Sequence, residues 1–153
     1  MNILEIVEKK FLELFKEEPL IFRSPGRVNL IGEHTDYNMG FVLPGAIDKA
    51  IYFAVSARKD KTCKLFAVDM NDVFEFDIDD FKKSEKSWPN YLMGVVDQLE
   101  KAGYNFNGFN CVFGGDIPIG AVLSSSAAIV AGLTFALDYI FNLRISKLVI
   151  VTL

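Results

Sequence analysis

The sequence predicts an α+β fold: a mostly antiparallel sheet with helices on one face. Three observations predict it. Along the 153 residues, apolar positions change from helical spacing to alternation and back, in the order helix, several strands, helix, strand, helix. The composition, 51% hydrophobic and 24% charged, supplies the apolar surface for one real core at this length. No linker, repeat or low-complexity stretch divides the chain, so one domain spanning 1–153 is expected.

The elements follow in order. Asn2 is a cap for a first helix, in which Ile3, Val7, Phe11 and Leu14 recur at spacings of three and four as far as about Lys16. Leu20 to Arg23 is a short strand that Ser24-Pro25-Gly26 should break. Gly40 to Ile47 is apolar but punctuated by Pro44 and Gly45. Lys49 to Ala57 then alternates as a strand, followed by strands over Thr62 to Val68 and Val73 to Ile78. Asp79 to Lys86 is a charged surface loop. Pro89 suits the first turn of the next helix, whose face is Leu92, Val95, Val96, Leu99 and Ala102 and whose stop is Gly103. Phe109 to Phe113 is a further strand before Gly114-Gly115. A last helix, about Ser125 to Phe141, is apolar nearly all round and is expected to be buried.

Bulk properties exclude several classes. Net charge is −4 with no basic run, which gives no reason to expect nucleic acid or an anionic membrane as partner. No apolar stretch reaches membrane-spanning length without a charge, and acidic residues near the start argue against a signal peptide. A cytoplasmic protein is expected, with Cys63 and Cys111 as buried thiols.

Two stretches concentrate chemistry. From Pro25 to Gly40 the chain packs Arg27, Asn29, Glu33, His34, Thr35, Asp36, Tyr37 and Asn38 around one apolar triplet. Carboxylates accept from sugar hydroxyls, histidine donates or accepts, and arginine presents a fork of donors with a permanent charge. An ordinary polar turn with Arg27 in an ion pair has the same residue types. From Pro118 to Ala128 a glycine-containing turn runs through three serines into the last helix. Such a helix start offers unpaired N–H groups and a positive dipole end to a phosphate. A serine cap on a buried helix reads the same.

The ordered run Pro25-Gly26-Arg27-Val28-Asn29-Leu30-Ile31-Gly32-Glu33-His34-Thr35-Asp36-Tyr37 resembles the first signature of galactokinases, in the superfamily of small-molecule (GHMP) kinases. The serine loop resembles that superfamily's second signature. The resemblance implies the GHMP kinase N-terminal domain (a ribosomal protein S5 domain 2-like fold) and phosphoryl transfer from MgATP to the anomeric hydroxyl of D-galactose. It implies that Arg27 stabilises charge on the transferring group, that Glu33, His34, Thr35 and Asp36 hold the sugar, and that Gly120, Ala121, Val122, Leu123, Ser124, Ser125 and Ser126 wrap the ATP phosphates, with Ser126 touching Mg²⁺. Trp88-Pro89-Asn90-Tyr91 resembles a segment beside the adenine, where Trp88 would stack, although a helix-anchoring tryptophan is an equal reading. The superfamily carries glycine where this chain has Val122, and a β-branched residue disfavours positive φ.

The same resemblance implies that the catalytic aspartate, a magnesium-ligating carboxylate and a third glycine-rich signature lie in a missing part beyond Leu153, and that a C-terminal domain is absent from the 153 residues. The apolar run Ser146 to Leu153 reads as an element cut midway, which would favour self-association. Two other functions fit the residues: a galactose- or nucleotide-binding regulator of the same ancestry, and a kinase for a related sugar.

Overall fold

The computed structural model describes residues 1–31, 43–117, 125–146 and 149, with the backbone alone for 27–31, 43–47 and 125. The chain runs α1 (Ile3–Phe15), β1 (Leu20–Ile31), β2 (Leu43–Ala57), β3 (Thr62–Ala67), β4 (Asp72–Asp77), α2 (Ser87–Lys101), β5 (Phe109–Gly115) and α3 (Ser125–Phe141). The five strands form one sheet in the order β1-β2-β5-β3-β4. Every pairing is antiparallel except β3 with β5. This is the α+β, mostly antiparallel architecture that the periodicity predicts.

Caps set the helix ends where the sequence places them. The Glu5 N–H donates to Asn2 Oδ1 at 2.9 Å, and Lys16, at φ 57°, closes α1 with its N–H on the Leu12 carbonyl. Gly103, at φ 94°, ends the turn after α2, as its lack of a Cβ allows.

The strand alternation divides the core between two faces. Phe53, Val55, Leu65, Cys111 and Phe113 join Leu92, Val96 and Leu99 of α2 and Leu133 and Leu137 of α3 in the larger cluster. Ala54, Phe66 and Val112 face the other way and meet Val7 and Phe11 of α1. The expectation of helices on one face therefore holds for α2 and α3, while α1 covers the opposite face. The cause is in the central strands: β5 is buried along nearly its whole length, so both its faces need a cover.

Two further expectations are corrected. Ser24-Pro25-Gly26 does not break β1, which continues to Ile31. Among the described residues β1 is an edge strand with β2 as its sole sheet neighbour, so a proline without an N–H is tolerated there. Irregularity enters instead as register shifts, from Pro25↔Ala50 to Arg27↔Ala46 and again between Asn29 and Ile31. β2 likewise starts at Leu43 and runs through Pro44 and Gly45. The second correction concerns α3. It is buried at Ala128, Leu133, Thr134, Ala136 and Leu137, but Phe135 and Tyr139 stand 52% and 64% exposed. It packs on β1, β2 and α2, and those neighbours cover only part of its circumference. Cys63 and Cys111 are buried thiols, as expected.

Candidate functional site

The flanks of the two chemistry-bearing stretches meet where β1 packs on α3. Ser24 in β1 is 6% exposed, and its hydroxyl donates to the carbonyl of Ala128 in the opening turns of α3 at 2.6 Å, across 104 residues of sequence. Two residues earlier on the same face of β1, the Phe22 ring meets Phe135 at 6.0 Å and Tyr139 at 5.7 Å between centroids. Moving from Phe22 to Ser24 along the strand thus means moving from the middle of α3 back toward its start. The helix and strand are antiparallel, and the far end of β1 lies beside the N-terminus of α3. From Ser24 to Arg27 an extended strand advances about 10 Å, and from Ala128 back to Ser125 a helix covers about 4.5 Å. Along this path the Arg27 backbone runs on toward the end of the domain at which α3 opens.

The root of the serine loop is held on both sides. β5 ends at Gly114-Gly115, where each glycine is closely approached. A Cβ on Gly114 would lie 2.9 Å from Val68 Cβ, and one on Gly115 would strike Ile51 Cδ1 and lie 2.9 Å from the Ala50 carbonyl oxygen. Asp69, just beyond β3, accepts the Gly115 N–H at 3.2 Å. Asp116 accepts the Ala50 N–H at 2.8 Å and returns its own N–H to the Ala50 carbonyl. Desolvation raises the Asp69 pKa, and the Gly115 N–H partly offsets that rise. Ile117 is buried, so the chain enters the loop from a fixed point.

Each expected site residue can now be placed. Arg27 lies in β1 with its backbone opposite Ala46, directly after the register shift. Glu33, His34, Thr35 and Asp36 lie outside the described residues, as do Gly120, Ala121, Val122, Leu123 and Ser124. Ser125 opens α3 and Ser126 is exposed in its first turn, which carries no acidic residue to compete with a bound anion. Trp88 sits in the first turn of α2. Its Nε1–H donates to Asp72 Oδ2 at 3.0 Å, and its ring packs on Phe113 at 5.7 Å and edge-on to Phe74 at 6.3 Å. Those contacts tie the start of α2 to β4 and β5. The Trp88 N–H, followed by Lys86, lowers the Asp72 pKa. Asp138, inside α3, accepts the Ile145 N–H and so holds the exit from that helix.

Sequence reasoning passed over Ser24, Asp69 and Asp116. Ser24 lies beside the first stretch and Asp116 just before the second, but only the sheet order brings their partners to them. Among the described residues no group of three or more His, Cys, Asp or Glu could hold a metal ion, and no helix is long and apolar enough to cross a membrane.

Comparison with known proteins bears on the same two stretches. A family model described as the galactokinase galactose-binding signature matches residues 9–57, and the GHMP kinase N-terminal domain model matches residues 90–153. A galactokinase of Clostridium acetobutylicum is 43% identical over 99% of this chain and 40% of its own length. One from Roseiflexus is 44% identical over 82% of this chain and 32% of its own. The crystal structure of Lactococcus lactis galactokinase complexed with galactose superposes with a TM-score of 0.89 at 38% identity, over 99% of this chain and 40% of that one. The Methanococcus jannaschii mevalonate kinase, at 21% identity, shares the fold with a TM-score of 0.74 over 88% of this chain and 44% of its own. The chain thus spans about 40% of the length of the galactokinase from Clostridium acetobutylicum.

Proposed function

We propose, on the premise that this chain belongs with the N-terminal part of the galactokinases in the GHMP kinase superfamily, that it carries the sugar-holding and phosphate-holding segments of a galactokinase. The reaction is transfer of the γ-phosphoryl group of ATP to the anomeric hydroxyl of D-galactose, giving galactose 1-phosphate and ADP. Residues 1–153 constitute the N-terminal domain of that enzyme.

The observation that carries this reading is the Ser24–Ala128 hydrogen bond. It ties together the flanks of two segments that are far apart in sequence, one rich in sugar-binding groups and one shaped for a polyphosphate. Glu33, His34, Thr35 and Asp36 would pair the hydroxyls of galactose, so that an epimer leaves a buried partner unmatched. Gly120 to Ser126 would wrap the ATP phosphates with backbone N–H groups and the dipole of α3. Arg27, on the strand that runs toward the helix start, would meet the negative charge that builds on the transferring phosphoryl group. Trp88, its indole N–H engaged by Asp72, would border the adenine rather than swing onto it.

Magnesium fits the donor set as a partner of the nucleotide. The Ser126 hydroxyl is a hard oxygen donor at an exposed position, and Mg²⁺ is held by few protein oxygens together with substrate phosphates. When bound it would supply neutralisation of phosphate charge. A reaction that consumes ATP accords with the cytoplasm.

Calorimetric titration with D-galactose and with MgATP tests the reading, followed by titration with a panel of sugars including N-acetylgalactosamine and arabinose. Galactose should bind and be preferred. A chain whose affinity for a protein partner changes when it binds galactose would be a sugar-binding regulator instead. A folded chain that binds neither ligand would overturn the proposal. Val122→Gly should tighten MgATP binding, because glycine permits the close backbone approach that a β-branched residue resists.

A further inference from the structure

The contact between β1 and α3 is tighter than helix-on-sheet packing requires. Ala128 and Gly132 are four residues apart and so lie on one face of α3, one turn above the other. Ser24 bonds to the carbonyl of the first, and a Cβ on the second would lie 2.8 Å from Ser24 Cβ and strike the Phe53 ring. Phe53 is the register partner of Phe22, and Ile51 of Ser24, so helix backbone rests directly on the first two strands. The Ala128 carbonyl already has an acceptor role within its own helix, and the bond from Ser24 adds nothing to that ladder. What it adds is direction: a 2.6 Å hydrogen bond fixes one register of helix on strand, whereas the neighbouring contacts of Phe22 with Phe135 and Tyr139 are ring contacts that tolerate sliding.

We propose that Ser24, seated against Gly132, is a positioning residue that sets the spacing between the sugar-holding segment after β1 and the phosphate-holding start of α3. This rests on the function proposed above and deepens it. Arg27 follows Ser24 by three residues and Ser125 precedes Ala128 by three, so a slip at this joint moves both halves of the site relative to each other. Transfer between two bound groups is sensitive to displacements on the order of 1 Å. Neither half-site needs the joint in order to hold its own ligand.

The test measures galactose affinity of the whole 153-residue chain by calorimetry, alone and with a nonhydrolysable ATP analogue plus Mg²⁺. The ratio is the coupling factor between the ligands. Ser24→Ala should leave each ligand's own Kd within about twofold and lower the coupling factor about fivefold. Ser24→Thr, which keeps the hydroxyl, should restore it, and Gly132→Ala, which pushes the helix off the strands, should abolish it. Where Gly132→Ala does not fold, the smaller Ser24→Ala change carries the test. An unchanged coupling factor, a wild-type factor near one, or an equal loss of both single-ligand affinities overturns the proposal. If the wild-type chain binds neither ligand, the function proposed above fails; whether it binds neither or only one, amide hydrogen exchange then decides the joint. Ser24→Ala should speed exchange over 125–132 by about fivefold while leaving α2 unchanged. Equal protection in both proteins overturns it.

Discussion

The two ends of the sheet are built by opposite means. At the end where β2 finishes and β5 begins, polar side chains bind one another. Glu17 Oε1 accepts from the Ser56 hydroxyl at 2.6 Å and from Asn110 Nδ2 at 3.1 Å. Arg58 donates to Asn110 Oδ1 at 3.0 Å and forks onto both Asp60 oxygens at 2.9 and 2.7 Å. At the end where β1 finishes and α3 begins, Ser24, Asp69 and Asp116 each reach backbone instead. A mutual side-chain network spends much of its members' hydrogen-bonding capacity on one another. Side-chain-to-backbone ties fix the path of the chain on its way into the two candidate stretches. The first arrangement closes an end of the domain on itself, and the second ties down the flanks of the two candidate stretches.

Substitutions can break that contrast. The largest effect is expected at the closed end, where Gly108 lies against the backbone of Thr62 and a Cβ would strike the Thr62 carbonyl oxygen. Gly108→Ala should cost about 3 kcal/mol in urea denaturation, since backbone cannot step aside. Asn110 is 4% exposed and makes bonds to Glu17, Ser56 and Arg58, so Asn110→Ala should cost about 2 kcal/mol while leaving galactose and nucleotide affinity unchanged. Asp116→Ala should show the reverse pattern. Its loss of stability is expected to be about 1 kcal/mol, with a disproportionate weakening of MgATP binding as the loop root loosens. If the closed-end variant weakened nucleotide binding and Asp116→Ala did not, the contrast between the ends would collapse.

Acid sharpens the comparison further. Arg58, and then the Thr62 N–H, hold the Asp60 carboxyl at about 2, below its ordinary value of 3.8. The folded state therefore favours the charged carboxylate more than the unfolded chain does. That stabilisation is full above the ordinary value and is lost as pH falls toward about 2. Melting temperature should accordingly drop between pH 4 and pH 2, less steeply in Asp60→Asn, and by a smaller margin at high salt because the pair is near the surface. The smallest effect concerns the thiols. Burial pushes Cys63 up to about 12 and raises Cys111 further, so both should resist a thiol reagent at pH 8 until denaturant is added. Rapid labelling of the native chain would mean that the closed end opens.

Legibility in the sequence follows the range of the interactions involved. α1 and α2 are readable because their signals are local: Asn2 reaches Glu5, and Gly103 follows α2 within two residues. The central strands are readable from their apolar runs. β1 is not, because Pro25 and Gly26 are breakers everywhere except on an edge, and edge position is a property of the whole sheet. The exposure of Phe135 and Tyr139 was hidden for a similar reason, since an apolar helix reveals its composition but not which sides find a neighbour. In the site, ordered motifs made the two stretches visible. Ser24, Asp69, Asp116 and the Glu17–Asn110 pairing across 93 residues have no local pattern at all. The bond of Trp88 to Asp72, sixteen residues earlier, is likewise invisible in the local sequence.

The position of β5 has a consequence for how the chain is made. The hairpins β1–β2 and β3–β4 precede it in sequence, yet neither touches the other until β5 enters between them. During synthesis each hairpin therefore waits with a bare apolar flank until residues 109–115 have left the ribosome. The Ser24–Ala128 tie closes later still. Slow emergence or early arrest would strand a half-assembled sheet with two sticky edges, a natural client for chaperones.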